Sequence, residues 1–269
     1  MNFISEHDEA DAFGLVEALV LDGAGSARRI SREQIDDLQL GSQETLWLHW
    51  DRSHPQAQQW LREASGLSEF ACNLLLEEGT RPRIVQPEKH QLLLFMRGVN
   101  LNPDAEPEDM VSLRIFADER RVISLRMRRL RARAEVAAEF EEGKGPANSQ
   151  SLVLRLADLM TGKIQPLVTE LSELVDTQDE QIELDDNYAP DHSKMVAAKR
   201  RSASLRRFLA PQRDIFFEMA REKLEWFVGD QAKDWSELGN SLTSHLEELE
   251  LIRERVGLVL ESEHQRMGE

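Results

Sequence analysis

Thr243–Glu269 reads TSHLEELELIRERVGLVLESEHQRMGE, a helical pattern that carries no Gly-Pro stop. Counted in sevens from Trp235, the same face carries Trp235, Leu242, Leu249 and Val256, with Leu238, His245, Ile252 and Val259 as companions. Only His245 interrupts this apolar seam, and a seam sustained over nearly four heptads is coiled-coil-like. The other faces carry Glu247, Glu248, Glu250, Arg253, Glu254, Arg255 and Glu261. At 1.5 Å per residue the helix from Asp234 extends ~50 Å, longer than a small domain is wide. The seam needs a partner, either a neighbouring helical hairpin or copies of itself. It then fails at Glu263 and Arg266, so the helix reads as cut and not finished.

Upstream of it, everything after the EEGKGPANSQ break reads as helix. One arm runs from Ser151 to Asp186 with a kink expected at Pro166, DNYAP makes a turn, and a return arm runs from Ser193 to Val228 with a second kink at Pro211. No Lys or Arg lies between Lys163 and Lys194, a segment that holds Glu170, Glu173, Asp176, Asp179, Glu180, Glu183, Asp185, Asp186 and Asp191. The return arm carries Lys194, Lys199, Arg200, Arg201, Arg206, Arg207 and Arg213. Such segregation fits two arms that attract each other, each exposed pair contributing under ~1 kcal/mol. It also fits an acidic tip that gathers cations. The candidate metal contacts are therefore Asp179, Glu180, Glu183, Asp185 and Asp186, together with His245 in the seam.

The first half mixes strand and helix signals. AFGLVEALVLDG (Ala12–Gly23) and ETLWLHWD (Glu44–Asp51) read as strands, the second with Leu46, Leu48 and Trp50 on one face and Trp47 and His49 on the other. Pro55 to Glu78 returns apolar residues at helical spacing. RPRIVQPEKHQLLLFMRGVNL reads as two strands about a turn at Pro87–Lys89, and VSLRIFADERRVISLRM as a hairpin about Asp118–Arg121. About six strands and two or three helices predict an α+β chain: a mixed-sheet α/β/α layered N-terminal domain, a helical hairpin and a long C-terminal stalk helix. The expected divisions are 1–148, 149–232 and 233–269.

The 50 acidic and 33 basic side chains give a net charge of −17, which repels nucleic acid and concentrates cations. The single Cys72 excludes an intramolecular disulfide, and no stretch resembles a secretory signal or approaches the ~18 apolar residues of a spanning helix. The chain as given is therefore expected to be soluble and cytoplasmic. His49, Asp51 and His54 lie close in LHWDRSHP, but no second ligand cluster accompanies them, and a polar strand end before a Pro-started helix accounts for them. Cys72 falls on an apolar helix face and reads as core. The arginines Arg120, Arg121, Arg126, Arg128, Arg129, Arg131 and Arg133 lack interleaved aromatics, so pairing with the acidic helices is preferred to nucleic-acid binding. No phosphate loop, nucleophile elbow or Cys-pair zinc site is present, so neither an enzyme nor an organic cofactor is expected.

The succession TRPRIVQPEKHQLLLFMRGVNLNP, RRFLAPQRDIFFEM and HLEELELIRERVGLVLESEHQRM resembles the cytoplasmic part of CorA-type metal-ion transporters, most of all the zinc-transporting ZntB branch. The resemblance covers essentially the whole chain in the family's order. It implies a homopentameric funnel at the cytoplasmic face of the bacterial inner membrane, with Zn2+ as the transported ion. It also implies a stalk that continues into the first of two membrane helices, placing Glu269 just before the membrane. The family's Gly-x-Asn pore triplet would then lie beyond Glu269. Gly98–Asn100 is not that triplet, because it follows a strand and leads into the Asn102-Pro103 turn. A soluble oligomeric scaffold or adaptor, associating through its last helix, is the alternative. For His245 two roles stand side by side: a ring of histidines about the axis of an assembly, or a side chain packed on the hairpin and donating to a carboxylate there.

Overall fold

A computed structural model describes residues 9–185 and 187–268. Its strands are β1 (Leu15–Leu21), β2 (Ala27–Arg29), β3 (Thr45–Asp51), β4 (Arg83–Val85), β5 (Leu92–Gly98), β6 (Val111–Ala117) and β7 (Arg121–Arg126). They form one seven-stranded sheet in the order β2-β1-β3-β7-β6-β5-β4. Only β3 and β7 pair in parallel, so the sheet is mixed, as expected. β2 escaped the sequence reading because three residues, two of them arginine, carry no alternation.

The sheet is buried on both faces, which is why β5 reads as an unbroken apolar run from Leu92 to Met96 and why even His49 of β3 is buried. One face carries Val20, Leu48, Trp50, Phe95 and Leu125 against α1 (Pro55–Glu63) and α2 (Glu69–Leu76). These two helices fill the stretch of helical spacing over Pro55–Glu78: Gly66 takes φ +77 between them, a left-handed conformation that ends helical hydrogen bonding. The other face carries Leu19, Trp47, Leu92, Leu94 and Met96 in the same core as α3 (Arg131–Glu141) and the helical half. The result is an α/β/α layered unit. α3 lay hidden inside the arginine cluster, and Arg133 shows why: its guanidinium is buried and paired with Glu17 of β1 at 2.7 Å.

The helical half comprises α4 (Ser149–Gly162), α5 (Ile164–Leu184), α6 (His192–Met219), the short α7 (Glu225–Val228) and α8 (Ala232–Met267). The first arm is two helices instead of one kinked helix. They meet at Lys163, and Pro166 sits in the first turn of α5, where its missing N–H costs nothing. α6 runs through Pro211 without interruption. No helix among the described residues is long and apolar enough to cross a membrane.

The apolar seam of the last helix has its partner within the chain. Trp235, Leu238, Leu242, Leu246, Leu249, Ile252, Val256 and Val259 are all buried, and α8 packs most extensively on α6, then on α5 and α4. Leu246 widens the two-position seam into the broader stripe of a helix packed in a bundle. Ionic pairing also departs from expectation. Asp176 and Asp179 of α5 pair with Arg255 of α8, and Arg206 of α6 pairs with Glu250 of α8. Only Arg201–Glu170, at 3.9 Å, joins the acidic arm to the basic one among the described residues. The arms are thus held together chiefly through α8.

Candidate functional site: the sheet–hairpin joint and the acidic tip

Two of the sequence stretches that carry the family resemblance meet in space. β4 pairs with β5 only as far as Arg83 opposite Phe95, so beyond that point β5 has lost its neighbour. The Arg97 N–H donates to Gln212 Oε1 at 2.7 Å, and Gln212 Nε2 donates to the Arg97 carbonyl at 2.9 Å. Gln212 is fully buried, and its amide replaces the missing strand. Next along the chain, Gly98 admits the Met160 side chain of α4, whose Cε would lie 3.1 Å from an added Cβ. Asn100 Oδ1 then accepts from the N–H and the side-chain amide of Asn102, at 3.1 and 2.8 Å, and fixes the turn. RGVNLNP is therefore a docking element for α4 and α6. Gln212 was missed by the sequence reading; its signal was a lone amide between Leu209 and Phe216.

The candidate cation residues do not converge. Asp179 accepts from Arg255 Nη2 at 2.7 Å and Nε at 3.2 Å, and it shares that one guanidinium with Asp176. This contact raises the Arg255 pKa, with the Asp176 pair adding to it. Glu180, Glu183 and Asp185 are exposed, and Asp185 accepts from the Asn187 N–H at 2.9 Å. Asp186 lies outside the described residues, as does Glu269. His245 sits ten residues before Arg255 on α8, ~15 Å along the helix axis from the contact with Asp179. It is buried, its Nδ1 has no hydrogen-bond partner, and burial pushes its pKa down, against the opposing pull of Glu248. No three His, Cys, Asp or Glu side chains among the described residues are grouped to hold a metal ion.

Beyond Arg255, the far end of α8 is tied to the tip by Arg266 Nη1 donating to the Tyr188 carbonyl at 2.8 Å and by His192 Nδ1 at 3.1 Å from Glu263. Gln178 completes the turn, accepting from the Tyr188 hydroxyl and the Asp191 N–H. One continuous helix, α8, therefore reaches from the start of α4, where Gln231 meets Ser151, to the acidic tip.

The other candidates are dispersed. His49 is buried with Nδ1 2.6 Å from Ser124 Oγ, and that oxygen also accepts from Trp47 Nε1 at 2.9 Å. Burial, and then the charges of Arg126 and Arg133, hold the His49 pKa well below its ordinary value. Asp51 accepts from Ser53, and His54 precedes α1 as its N-cap. Cys72 is buried with Sγ toward the Leu61 carbonyl, and burial pushes its thiol pKa up, away from reactivity. The arginine cluster pairs elsewhere than expected: Arg133 with Glu17, Arg129 with Glu9, and Arg121 on the Ser65 carbonyl, none of them on the acidic helices.

The layout is thus a mixed sheet docked on a helical hairpin with a long terminal helix. Residues 42–269 match the family model described as CorA-like Mg2+ transporter protein, and the chain belongs to that family. It is a family of divalent-cation transporters, not of enzymes. The chain is 52% identical over 263 residues to the divalent cation transporter CmaX of Pseudomonas aeruginosa, covering 98% of this chain and 79% of that one. The structure of the full-length CmaX protein superposes with a TM-score of 0.92 at 52% identity, over 97% of this chain and 80% of the other. The ZntB cytoplasmic domain from Vibrio parahaemolyticus superposes with a TM-score of 0.80 at 25% identity, over 95% of this chain and 99% of that one.

Proposed function

We propose that this chain is the cytoplasmic, funnel-forming part of a homopentameric transporter in the bacterial inner membrane, with Zn2+ as its cargo. The observation that carries the reading is the pair of likenesses just described: the chain spans nearly all of a ZntB cytoplasmic domain but only four-fifths of full-length CmaX. The uncovered fifth would hold the membrane helices, entered from α8. In this reading residues 1–148 form the sheet domain, 149–232 the hairpin and 233–269 the stalk.

Such a protein needs no covalent chemistry, only a path, a gate and a sensor. A cation that binds one arrangement of subunits more tightly shifts the population by its differential affinity alone. The acidic tip would supply local cation enrichment, through Glu180, Glu183 and Asp185, with Asp186 next in sequence and Asp179 anchored to Arg255. His245 enters as a histidine that a symmetric assembly repeats in each subunit. The rigid path between sheet and tip is α8, joined to the sheet through Gln212 and Arg97 by way of α6.

Sedimentation of the complete gene product in detergent tests the assembly. A mass of five subunits is expected, and a stable dimer would contradict the funnel.

A further inference from the structure

Despite the chain's excess of acid, one set of neighbouring arginines near the end of the sheet is short of carboxylates. Cross-strand register places Arg83, Phe95 and Arg114 side by side on β4, β5 and β6, and Arg97 lies two residues past Phe95 on the same face. Leu125 stands opposite Arg114 and Trp50 opposite Leu125, and Arg52 follows Trp50 by two residues. From α6, Phe208 lies under both the Arg97 guanidinium, at 4.9 Å, and that of Arg207, at 5.6 Å. Arg83 takes Glu77 at 2.8 Å. Among the described residues, Arg52, Arg97, Arg114 and Arg207 have no carboxylate within ion-pair distance; Glu78 and Asp51 act on Arg52 only from farther away.

The protein satisfies part of their hydrogen bonding but not their charge. Arg97 donates to the carbonyls of Thr80 at 2.8 Å and Met110 at 3.3 Å, and Arg114 to that of Leu75 at 2.7 Å. Arg114 is 1% exposed and its Nε has no partner, and the buried Thr80 Oγ1 beside Arg97 has none either. Burial, then repulsion from Arg52 and Arg97, push the Arg114 pKa down to about 10 against the weaker pull of Glu77, and burial followed by Arg52 and Arg207 lowers that of Arg97. Carbonyl dipoles cannot relieve repulsion between like charges, whereas an anion can. Arg52 and Arg97 are half-buried and Arg207 is exposed, so the group has a charged floor and a rim open to solvent.

We propose that Arg52, Arg97 and Arg207, above the buried Arg114, bind a phosphate-type oxyanion, either free phosphate or the phosphate of a nucleotide. Guanidinium groups present paired donors that match tetrahedral oxyanions, a geometry a halide cannot exploit. Because Arg52 and Arg97 belong to the sheet unit and Arg207 to α6, occupancy would clamp the two across the Gln212 joint.

The test is titration of the 269-residue chain with inorganic phosphate and with ATP, against sodium chloride at matched ionic strength, read by calorimetry and thermal melting. Phosphate or ATP should bind and raise the Tm where chloride does not. Arg52→Gln with Arg207→Gln should weaken that binding about tenfold or more, on the scale of one lost charge-assisted contact. Both side chains reach solvent, and circular dichroism confirms that the variant is folded. Tighter binding of ATP assigns the site to a nucleotide, and equal or tighter binding of phosphate to the free ion. The proposal is overturned if neither oxyanion exceeds chloride, or if the double variant binds as tightly as the parent.

Discussion

Gln212 on α6 holds both backbone polar groups of Arg97 on β5, accepting from its N–H at 2.7 Å and donating to its carbonyl at 2.9 Å. These bonds join the sheet to the hairpin at a position where the strand ladder has run out. Gln212→Ala strands two backbone groups in a buried site and should cost about 3 kcal/mol, at 1–3 kcal/mol per unsatisfied group. Urea denaturation measures it, and a loss below about 0.5 kcal/mol would show that water takes over the amide's role.

The Glu17–Arg133 pair, at 2.7 Å with both side chains buried, ties α3 beneath β1. Arg29 adds a second contact to the same carboxylate at 2.9 Å. Removing one partner, as in Glu17→Gln, should destabilise by about 3–5 kcal/mol because the remaining charge stays buried. Arg133→Met on the Glu17→Gln background should recover part of that loss, and a purely additive double variant would contradict the pairing.

Stability should fall on mild acidification. His49 and His245 are both held below their ordinary pKa by burial, so the folded chain resists protonation that the unfolded chain accepts. Their contribution is complete above ~6.5 and is lost as the pH drops toward the folded-state values, with a slope of up to about 1.4 kcal/mol per pH unit for each histidine. Urea midpoints measured from pH 8 to 5 test this. His245→Leu should flatten the acid slope, and an unchanged slope would mean that His245 titrates freely in the fold.

The tip should act through charge and not through a shaped site. Replacing Asp179, Glu180, Glu183, Asp185 and Asp186 by Asn or Gln should lower cation uptake by the complete transporter most at low ionic strength, where screening is weakest. Equal flux for parent and variant at low and at high salt would reduce the tip to a solvated face.

Zinc-dependent melting separates the two roles of His245. If the histidine is a ligand, His245→Ala abolishes any rise in Tm that Zn2+ gives the 269-residue chain. An equal rise in both proteins makes the side chain structural, in keeping with its buried place on the face of α8.

Much of this architecture was legible because burial leaves a direct trace in residue order. β3 announced its two faces through Leu46, Leu48 and Trp50 against Trp47, and α8 announced its buried stripe through the heptads. What the heptads could not say was whose helix fills them, since an apolar stripe records burial and not the identity of the partner. The break at Lys163 was misplaced to Pro166 because proline marks a helix start as readily as a kink. α3 was concealed because Arg133 points into the core, where Glu17 from a distant strand meets it. The joint was harder still: Gln212 and Arg97 are 115 residues apart, and only the tertiary fold shows that one lacks a strand neighbour the other can replace.

A chain that belongs to a cation transporter must take part in cation movement, and flux tests that most directly. The complete gene product, reconstituted in liposomes that enclose a Zn2+-sensitive dye, should give saturable uptake above protein-free liposomes. Absence of uptake of Zn2+, with Mg2+ and Co2+ equally excluded, would contradict it.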